Sequence, residues 1–155
     1  MDTEQDSNSF DLGDKTALVC VDHPEYQKLI TPQLVDLGYK MHLGLFEDDV
    51  LLKLATYSYD VVVVYENFKG ARPGENPILR EMMRKSGPLR REHFVVLLTD
   101  RNPTNDAMSA FVQSVDLILN VNDIANFKPV LRRGVAQHHD LYLPFQEAIR
   151  AAQAA

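Results

Sequence analysis

The chain has 155 residues, of which 45% are hydrophobic and 25% are charged, a balance typical of one globular domain. Its apolar runs are far shorter than the roughly 18 residues that cross a bilayer, and Met1-Asp2-Thr3-Glu4 does not resemble a signal peptide, so we expect a cytoplasmic protein without membrane contact. Sixteen basic and 22 acidic residues give a net charge of −6, which argues against nucleic acid as a partner, and a single cysteine excludes an internal disulfide.

The first structural unit follows a polar, acidic segment, residues 1–14, which we interpret as a flexible tail or linker. Residues 16–21 form a continuous apolar run, as expected for a strand covered on both faces. Asp22-His23-Pro24 then supplies a capping residue and a proline for the first turn of a helix. Pro32 interrupts the helical pattern, so this helix either bends there or begins at Thr31.

Four further strands are predicted at residues 40–46, 60–65, 94–98 and 116–121, each separated from the next by a segment with helical spacing. The third strand is the most hydrophobic segment and should lie in the middle of the sheet; a turn-rich loop over 66–74 follows it. Asn76-Pro77 caps the next helix, and a short helix with Met108, Phe111 and Val112 precedes the fifth strand. This alternation predicts a parallel sheet built from strand-helix-strand units.

A long apolar stripe runs through residues 124–152 near the C-terminus. As one helix it would be longer than any of the predicted strands, so its distal part would extend past the sheet and contact another chain. The alternative is a helix that ends near His138, followed by a short second helix from Pro144 that folds back on the domain. The candidate interaction surface consists of Leu141, Tyr142, Phe145 and Ile149.

The segment Val19-Cys20-Val21-Asp22-His23-Pro24-Glu25 and the five repeated units resemble the receiver domain of bacterial response regulators. The resemblance covers residues 15–135 and leaves 136–155 as a C-terminal helical extension. It implies a flavodoxin-like (βα)5 fold, a three-layer α/β sandwich whose parallel strands are ordered 2-1-3-4-5.

The resemblance also implies positions for a phosphorylation site, and this sequence departs from most of them. Receivers have an acidic pair after strand one, where this chain has Val21 and Asp22, and an aspartate at the end of strand three, where it has Tyr65. Thr99 matches the hydroxyl residue after strand four, whereas Val121, between two asparagines, stands where a lysine is expected. A phenol with a pKa near 10 does not replace the aspartate, and one carboxylate is a poor magnesium site.

Glu66 leaves two alternatives open. A shift of one residue would place it at the acceptor position, where its charge would imitate a phosphorylated aspartate; strand alternation favours instead a residue that begins the loop and points away from the sheet. Asp22, Glu66 and Asp100 could together bind a hard cation, but we favour a helix cap and two surface loop residues.

These features predict a pseudo-receiver that acts as a protein-interaction module in bacterial signalling. We expect no enzymatic activity, no cofactor and no metal, and a protein partner that is in the simplest case a second copy bound through the C-terminal helix. The alternative function is a switchable receiver with an atypical acceptor or with a small ligand bound at the carboxyl ends of the strands.

Overall fold

The computed structural model describes residues 10–11, 13–84 and 93–154, except for the side chains of Tyr142, Phe145 and Gln146.

The sheet has the predicted topology. Within these residues, five parallel strands lie in the order β2-β1-β3-β4-β5, which confirms the flavodoxin-like fold. The strands are β1 (Lys15–Cys20), β2 (Tyr39–Leu43), β3 (Val61–Tyr65), β4 (Phe94–Thr99) and β5 (Leu117–Asn120). The α-helices are α1 (Pro24–Asp36), α2 (Glu47–Thr56), α3 (Pro77–Arg84), α4 (Ala107–Gln113) and α5 (Phe127–Ala154).

Helices cover both faces of the sheet because the central strands are apolar on both faces. Along β3, Val61 and Val63 pack in one core cluster with residues of α1 and α5, whereas Val62 and Val64 pack in a second cluster with residues of α2, α3 and α4. All four valines are buried. The continuous apolar runs of the sequence therefore reflect burial from both sides.

The start of α1 differs from the sequence-based expectation. His23, and not Asp22, is its N-cap: the Nδ1 atom of His23 accepts a hydrogen bond from the backbone N–H of Tyr26 at 3.4 Å. Pro32 lies inside the uninterrupted helix, so the alternative that the helix begins at Thr31 is wrong.

The C-terminal stripe forms one helix of 28 residues, α5, which continues through Pro144. The alternative of a break near His138 is therefore wrong. At 1.5 Å per residue α5 is roughly 42 Å long, about twice the length of a six-residue strand. Its first half packs on the sheet through the buried residues Phe127 and Leu131, and Leu141 in its second half is 71% exposed. The division of the chain at residues 14 and 135 stays a prediction, and α5 passes through residue 135 without a break.

The length of α5 does not make it a membrane segment. In the part of the chain that the structure describes, no helix combines the length and the apolar character needed to span a bilayer.

Candidate functional site

The predicted site residues meet at one edge of the sheet because the strands are parallel. Tyr65 and Thr99 are the last residues of the neighbouring strands β3 and β4, and Val21 is the first residue after β1. Val121 directly follows β5. The carboxyl ends of these strands form the edge at which open α/β sheets bind their ligands.

Glu66 is the central residue of this edge. Its side chain is 1% exposed, so the expectation of a surface loop residue is wrong. Its Oε1 atom accepts hydrogen bonds from the Thr99 hydroxyl at 2.8 Å and from Nε of Arg101 at 3.0 Å, and Oε2 accepts one from Nη2 of Arg101 at 2.8 Å. The carboxylate is therefore held by a two-pronged guanidinium contact and a hydroxyl. We call Glu66, Thr99 and Arg101 the carboxylate clamp.

Strand pairing explains why Glu66 points inward. The backbone N–H of Glu66 donates to the carbonyl of Leu98 at 2.9 Å, so pairing with β4 continues one residue beyond the end of β3. Successive side chains of a strand point to opposite faces, and Glu66 therefore lies opposite to Tyr65 and on the side of Thr99.

The charge of Glu66 is stabilised in spite of its burial. Burial by itself would raise the pKa of Glu66, but the hydrogen bonds from Arg101 and Thr99, together with the charge of Arg101, hold that pKa below its usual value. The hydrogen bond to Glu66 raises the pKa of Arg101 in turn. The Arg101 side chain remains 49% exposed, whereas that of Glu66 is 1% exposed, so Arg101 lies on the solvent side of the carboxylate.

Tyr65 lies in an aromatic cluster on the opposite face. Its ring meets the ring of Tyr26 edge-on, with centroids 5.6 Å apart, and His23 stacks on Tyr26 with centroids 3.7 Å apart. Burial raises the pKa of the Tyr65 phenol, and nearby acidic groups add to this shift. The phenol is therefore protonated at neutral pH and is a weak nucleophile.

The other acidic residues are not gathered around Glu66. Asp22 is half-buried, and its carboxylate accepts a hydrogen bond from the backbone N–H of Lys69 at 3.0 Å, which fixes the loop after β3. Asp100 is exposed. Over the described ranges, no set of three or more histidine, cysteine or acidic side chains is arranged to hold a metal ion.

Asn76 joins this loop to α3, as the predicted cap requires. Its Oδ1 atom accepts hydrogen bonds from the backbone N–H groups of Ile78 at 2.9 Å and Leu79 at 3.2 Å. Its Nδ2 atom donates to the carbonyls of Tyr65 at 2.9 Å and Glu66 at 3.1 Å. One buried side chain thus caps a helix and fixes the backbone of the site.

A network of side-chain hydrogen bonds connects the clamp to α4 and β5. Beside Arg101, Asn102 donates to the Ser109 hydroxyl in α4 at 2.8 Å. Asn120, the last residue of β5, donates to the carbonyl of Asn102 at 2.8 Å. The strand end at which receivers are expected to have a lysine therefore carries an amide that holds the β4–α4 loop, while Val121 is half-buried against the core.

Arg101 and Asn102 were not predicted from the sequence as residues of this site. The available signal was their place directly after Thr99, at the carboxyl end of a buried strand. The exposure of α4 was also not predicted: its residues Met108, Phe111 and Val112 face solvent. Of the predicted interaction surface, Leu141 and Ile149 are exposed, and the side chains of Tyr142 and Phe145 lie outside the described part.

Comparison with solved structures defines the class of fold: the chain has the fold of receiver domains. No family model and no curated protein matches it. It is similar to a fusion protein that carries the trimeric coiled coil of yeast Spc42, with 15% identity, a TM-score of 0.62, and coverage of 94% of this chain and 93% of that one.

Two response regulators are similar in structure over most of the chain. HP1043, an orphan response regulator of H. pylori, has 15% identity and a TM-score of 0.59, and the match covers 79% of this chain and 98% of that one. The chemotaxis response regulator CheY4 of Vibrio cholerae has 14% identity and a TM-score of 0.58, with 78% and 98% covered. At these identities the likeness establishes the fold.

Proposed function

We propose that the chain is a pseudo-receiver, a cytoplasmic protein-interaction module of bacterial signal transduction that works without phosphorylation and without enzymatic turnover. The observation that carries this proposal is the carboxylate clamp. Thr99 supplies a hydroxyl and Arg101 a cation beside the end of β3, and both are hydrogen-bonded to a carboxylate that belongs to the chain itself.

The chemistry of phosphoryl transfer supports the proposal. Transfer to a carboxylate needs a free nucleophilic oxygen, a divalent cation held by acidic groups, and a cation that offsets the charge of the moving phosphoryl group. Here Tyr65, the last residue of β3, is a protonated phenol, Asp22 accepts a hydrogen bond from a backbone N–H, and Arg101 neutralises Glu66. Each group is engaged in a structural contact.

The clamp also favours the alternative in which Glu66 imitates a phosphorylated aspartate. Glu66 places a permanent negative charge beside the Thr99 hydroxyl, 2.8 Å away, as a phosphorylated side chain would. On this reading the domain is held in one signalling state by its own sequence. A switchable receiver would instead need Glu66 to leave Arg101 and accept a phosphoryl group or yield its place to a small anion.

Intact-protein mass spectrometry separates these functions. The chain is incubated with acetyl phosphate and Mg²⁺, and we expect no stable gain of a phosphoryl group. A gain that disappears in Glu66→Gln or in Tyr65→Phe would establish an atypical acceptor and overturn the pseudo-receiver. A receiver of known phosphorylation treated in parallel verifies the reagent.

For the partner, we propose a second copy bound through the distal half of α5. Leu141 is 71% exposed there, and exposed apolar stripes of this kind mark interaction sites. The similar fusion protein carries a trimeric coiled coil, and this likeness favours assembly of the chain without identifying the helix that mediates it. Replacing Leu141 and Phe145 by aspartate should convert an oligomer to monomers in light scattering, with the sheet still folded; an unchanged mass would contradict this dimer.

A further inference from the structure

Strand β2 is an outer edge of the sheet. Among the described strands it pairs with β1 alone, in an unbroken parallel register from Lys15 opposite Tyr39 to Val19 opposite Leu43. Natural proteins commonly protect a sheet edge from further pairing with prolines, bulges or charged side chains, lysine above all. The described strand has neither a proline nor a bulge. Whether this edge is protected therefore depends on its one lysine, Lys40.

The outward hydrogen-bonding groups of β2 belong to alternate residues. The backbone N–H of Gly44 donates to the carbonyl of Val19 at 2.8 Å, so the backbone of Gly44 faces β1. In a strand, successive residues direct their backbone groups alternately to the two sides. The N–H and C=O groups of Tyr39, Met41 and Leu43 therefore point away from β1, toward the position that a further strand would occupy.

The charge of Lys40 is neutralised within the chain. Its Nζ atom lies 3.1 Å from a carboxylate oxygen of Asp14 and 3.6 Å from one of Asp11. The groove beside β2 and the ion pairs at its margin carry three lysines and three aspartates: Lys28, Lys40, Lys53, Asp11, Asp14 and Asp49. These charges balance, although the whole chain has a net charge of −6. A second copy can therefore approach this edge without the repulsion expected between two acidic surfaces.

Exposed apolar side chains border the outward backbone groups on both faces of the sheet. The edge lies in a groove of about 1070 Å³ between α1 and α2. Val35 of α1 and Leu43 of β2 are exposed in this groove, and so are Leu52 of α2 and Tyr57 at the end of α2. A strand added here would gain backbone hydrogen bonds and would also bury apolar surface on both of its faces.

The sequence of β2 fits antiparallel pairing with its own equivalent. With a two-fold axis at Met41, Met41 pairs with itself and Tyr39 pairs with Leu43, so every outward residue of β2 finds a partner. Moving the axis to Lys40 would leave Leu43 without a partner and would place two lysines directly opposite each other, which is unfavourable. Moving it to His42 would leave Tyr39 without a partner. The balance of charge and the pairing together favour a second copy with Met41 at the axis.

We propose that β2 pairs antiparallel with β2 of a second copy about a two-fold axis at Met41, so that the two sheets join into one continuous sheet. This interface goes beyond the proposed function, because it uses neither the strand ends that carry the clamp nor the distal half of α5. A chain that used both the β2 edge and α5 would form assemblies larger than a dimer.

The first test follows amide hydrogen exchange by NMR in the wild-type chain at low and high concentration. The N–H groups of Met41 and Leu43 should exchange at least about tenfold more slowly when at least about nine-tenths of the chain is associated, because only a second copy supplies their acceptors. The N–H groups of Lys40 and His42 face β1 and are internal controls, so their exchange should change less than about threefold. Analytical ultracentrifugation measures the associated fraction.

The second test compares two substitutions at the axis. Met41→Pro removes an N–H that β1 does not use, so the sheet should fold while the central pair of the interface is lost. We expect the dissociation constant to rise at least about tenfold, whereas Met41→Ala, which retains the N–H, should change it less than about threefold. Thermal unfolding of both variants verifies the fold.

A third variant leaves the strand itself unchanged. Leu52→Asp places a charge in the apolar margin of the edge and should also raise the dissociation constant at least about tenfold. Phe111→Asp is the matched control, since Phe111 is an exposed apolar residue of α4, beside β5 at the opposite edge of the sheet, and it should leave the constant within about twofold of the wild type.

The outcomes separate this interface from the proposed α5 dimer. Association without protection of the Met41 and Leu43 amides would overturn the β2 pairing and leave the α5 dimer standing. Dissociation by Phe111→Asp but not by Leu52→Asp would place the contact at the opposite edge of the sheet and would also overturn it. A chain that is monomeric at all concentrations would remove both interfaces, and the phosphorylation assay would still decide the pseudo-receiver function.

Discussion

Replacing Arg101 by methionine should destabilise the protein by leaving a buried charge without its counter-charge. Methionine retains much of the aliphatic stem of arginine but removes the donors at 3.0 and 2.8 Å from the Glu66 carboxylate. The carboxylate then keeps the Thr99 hydroxyl as its side-chain partner among the contacts of the clamp.

The size of the effect follows from the burial of the two partners. Removing one partner of a buried ion pair costs about 3–5 kcal/mol, and a hydrogen bond to a charged group contributes about 1.5–3 kcal/mol. Arg101 is 49% exposed, so solvent screens part of its interaction and the loss falls at or below the lower end of the range for a buried pair. We expect Arg101→Met to lower the free energy of unfolding by about 2–3 kcal/mol at neutral pH, or roughly 4–12 °C in Tm.

Glu66→Gln should lower the free energy of unfolding by less, about 1 kcal/mol. The amide oxygen still accepts the hydrogen bond from the Thr99 hydroxyl, and the exposed Arg101 can be hydrated by solvent. In the double variant no buried charge remains, so its loss should be smaller than the sum of the two single losses by about 1–2 kcal/mol. Lys40→Met, which breaks a surface pair 3.1 Å from Asp14, is the control and should cost less than about 1 kcal/mol. The free energies of unfolding are measured with urea. The buried clamp would be refuted if the losses of the two single variants were additive in the double variant, or if Arg101→Met lowered the free energy of unfolding no more than the control.

Three further predictions concern the clamp and the packing of the fold. The pKa of Glu66 is lower in the folded chain than in the unfolded chain, where it is about 4.3. The carboxylate should therefore stabilise the fold fully above pH 4.3 and lose this effect as the pH falls through the pKa of the folded chain, so Glu66→Gln should lose less stability than the wild type in acid unfolding. Asn76→Ala should cost about 2–3 kcal/mol in urea unfolding, since it removes the cap of α3 and leaves two carbonyls of the site without their donor; a loss below 0.5 kcal/mol would contradict this role. Gly44→Ala should cost about 1–3 kcal/mol because the new methyl group would overlap Cγ2 of Val50, and Val50→Ala should make the same glycine substitution nearly neutral.

The strands could be predicted from the sequence because burial on both faces leaves a direct mark on composition. Residues 61–64 are four valines, and all four are buried in the structure. Helix ends were predicted less well. Asp22 and His23 are adjacent and both have acceptor side chains, and which of them caps α1 depends on the loop after β3, which holds Asp22 through the N–H of Lys69.

The predicted topology was sufficient to place the site at the carboxyl ends of the strands, but it did not determine to which face of the sheet the Glu66 side chain points. That direction depends on whether pairing with β4 ends at Tyr65 or includes one more residue, and the pairing is settled by a backbone hydrogen bond to Leu98. The contact of Arg101 with Glu66 could not be predicted for a different reason. Its long side chain reaches back from a loop to a residue 35 positions earlier, and such a contact has no periodic signature in the sequence.

The clamp and the exposed face of α4 depend on the same short loop. Arg101 holds Glu66, its neighbour Asn102 holds Ser109 in α4, and Asn120 holds the carbonyl of Asn102 from β5. A covalent switch at the end of β3 would have to move this loop, and here the loop is bonded at both ends to groups that the chain itself supplies. On the proposed function, these hydrogen bonds therefore hold the β4–α4 loop against α4 and β5 without any modification at the strand ends.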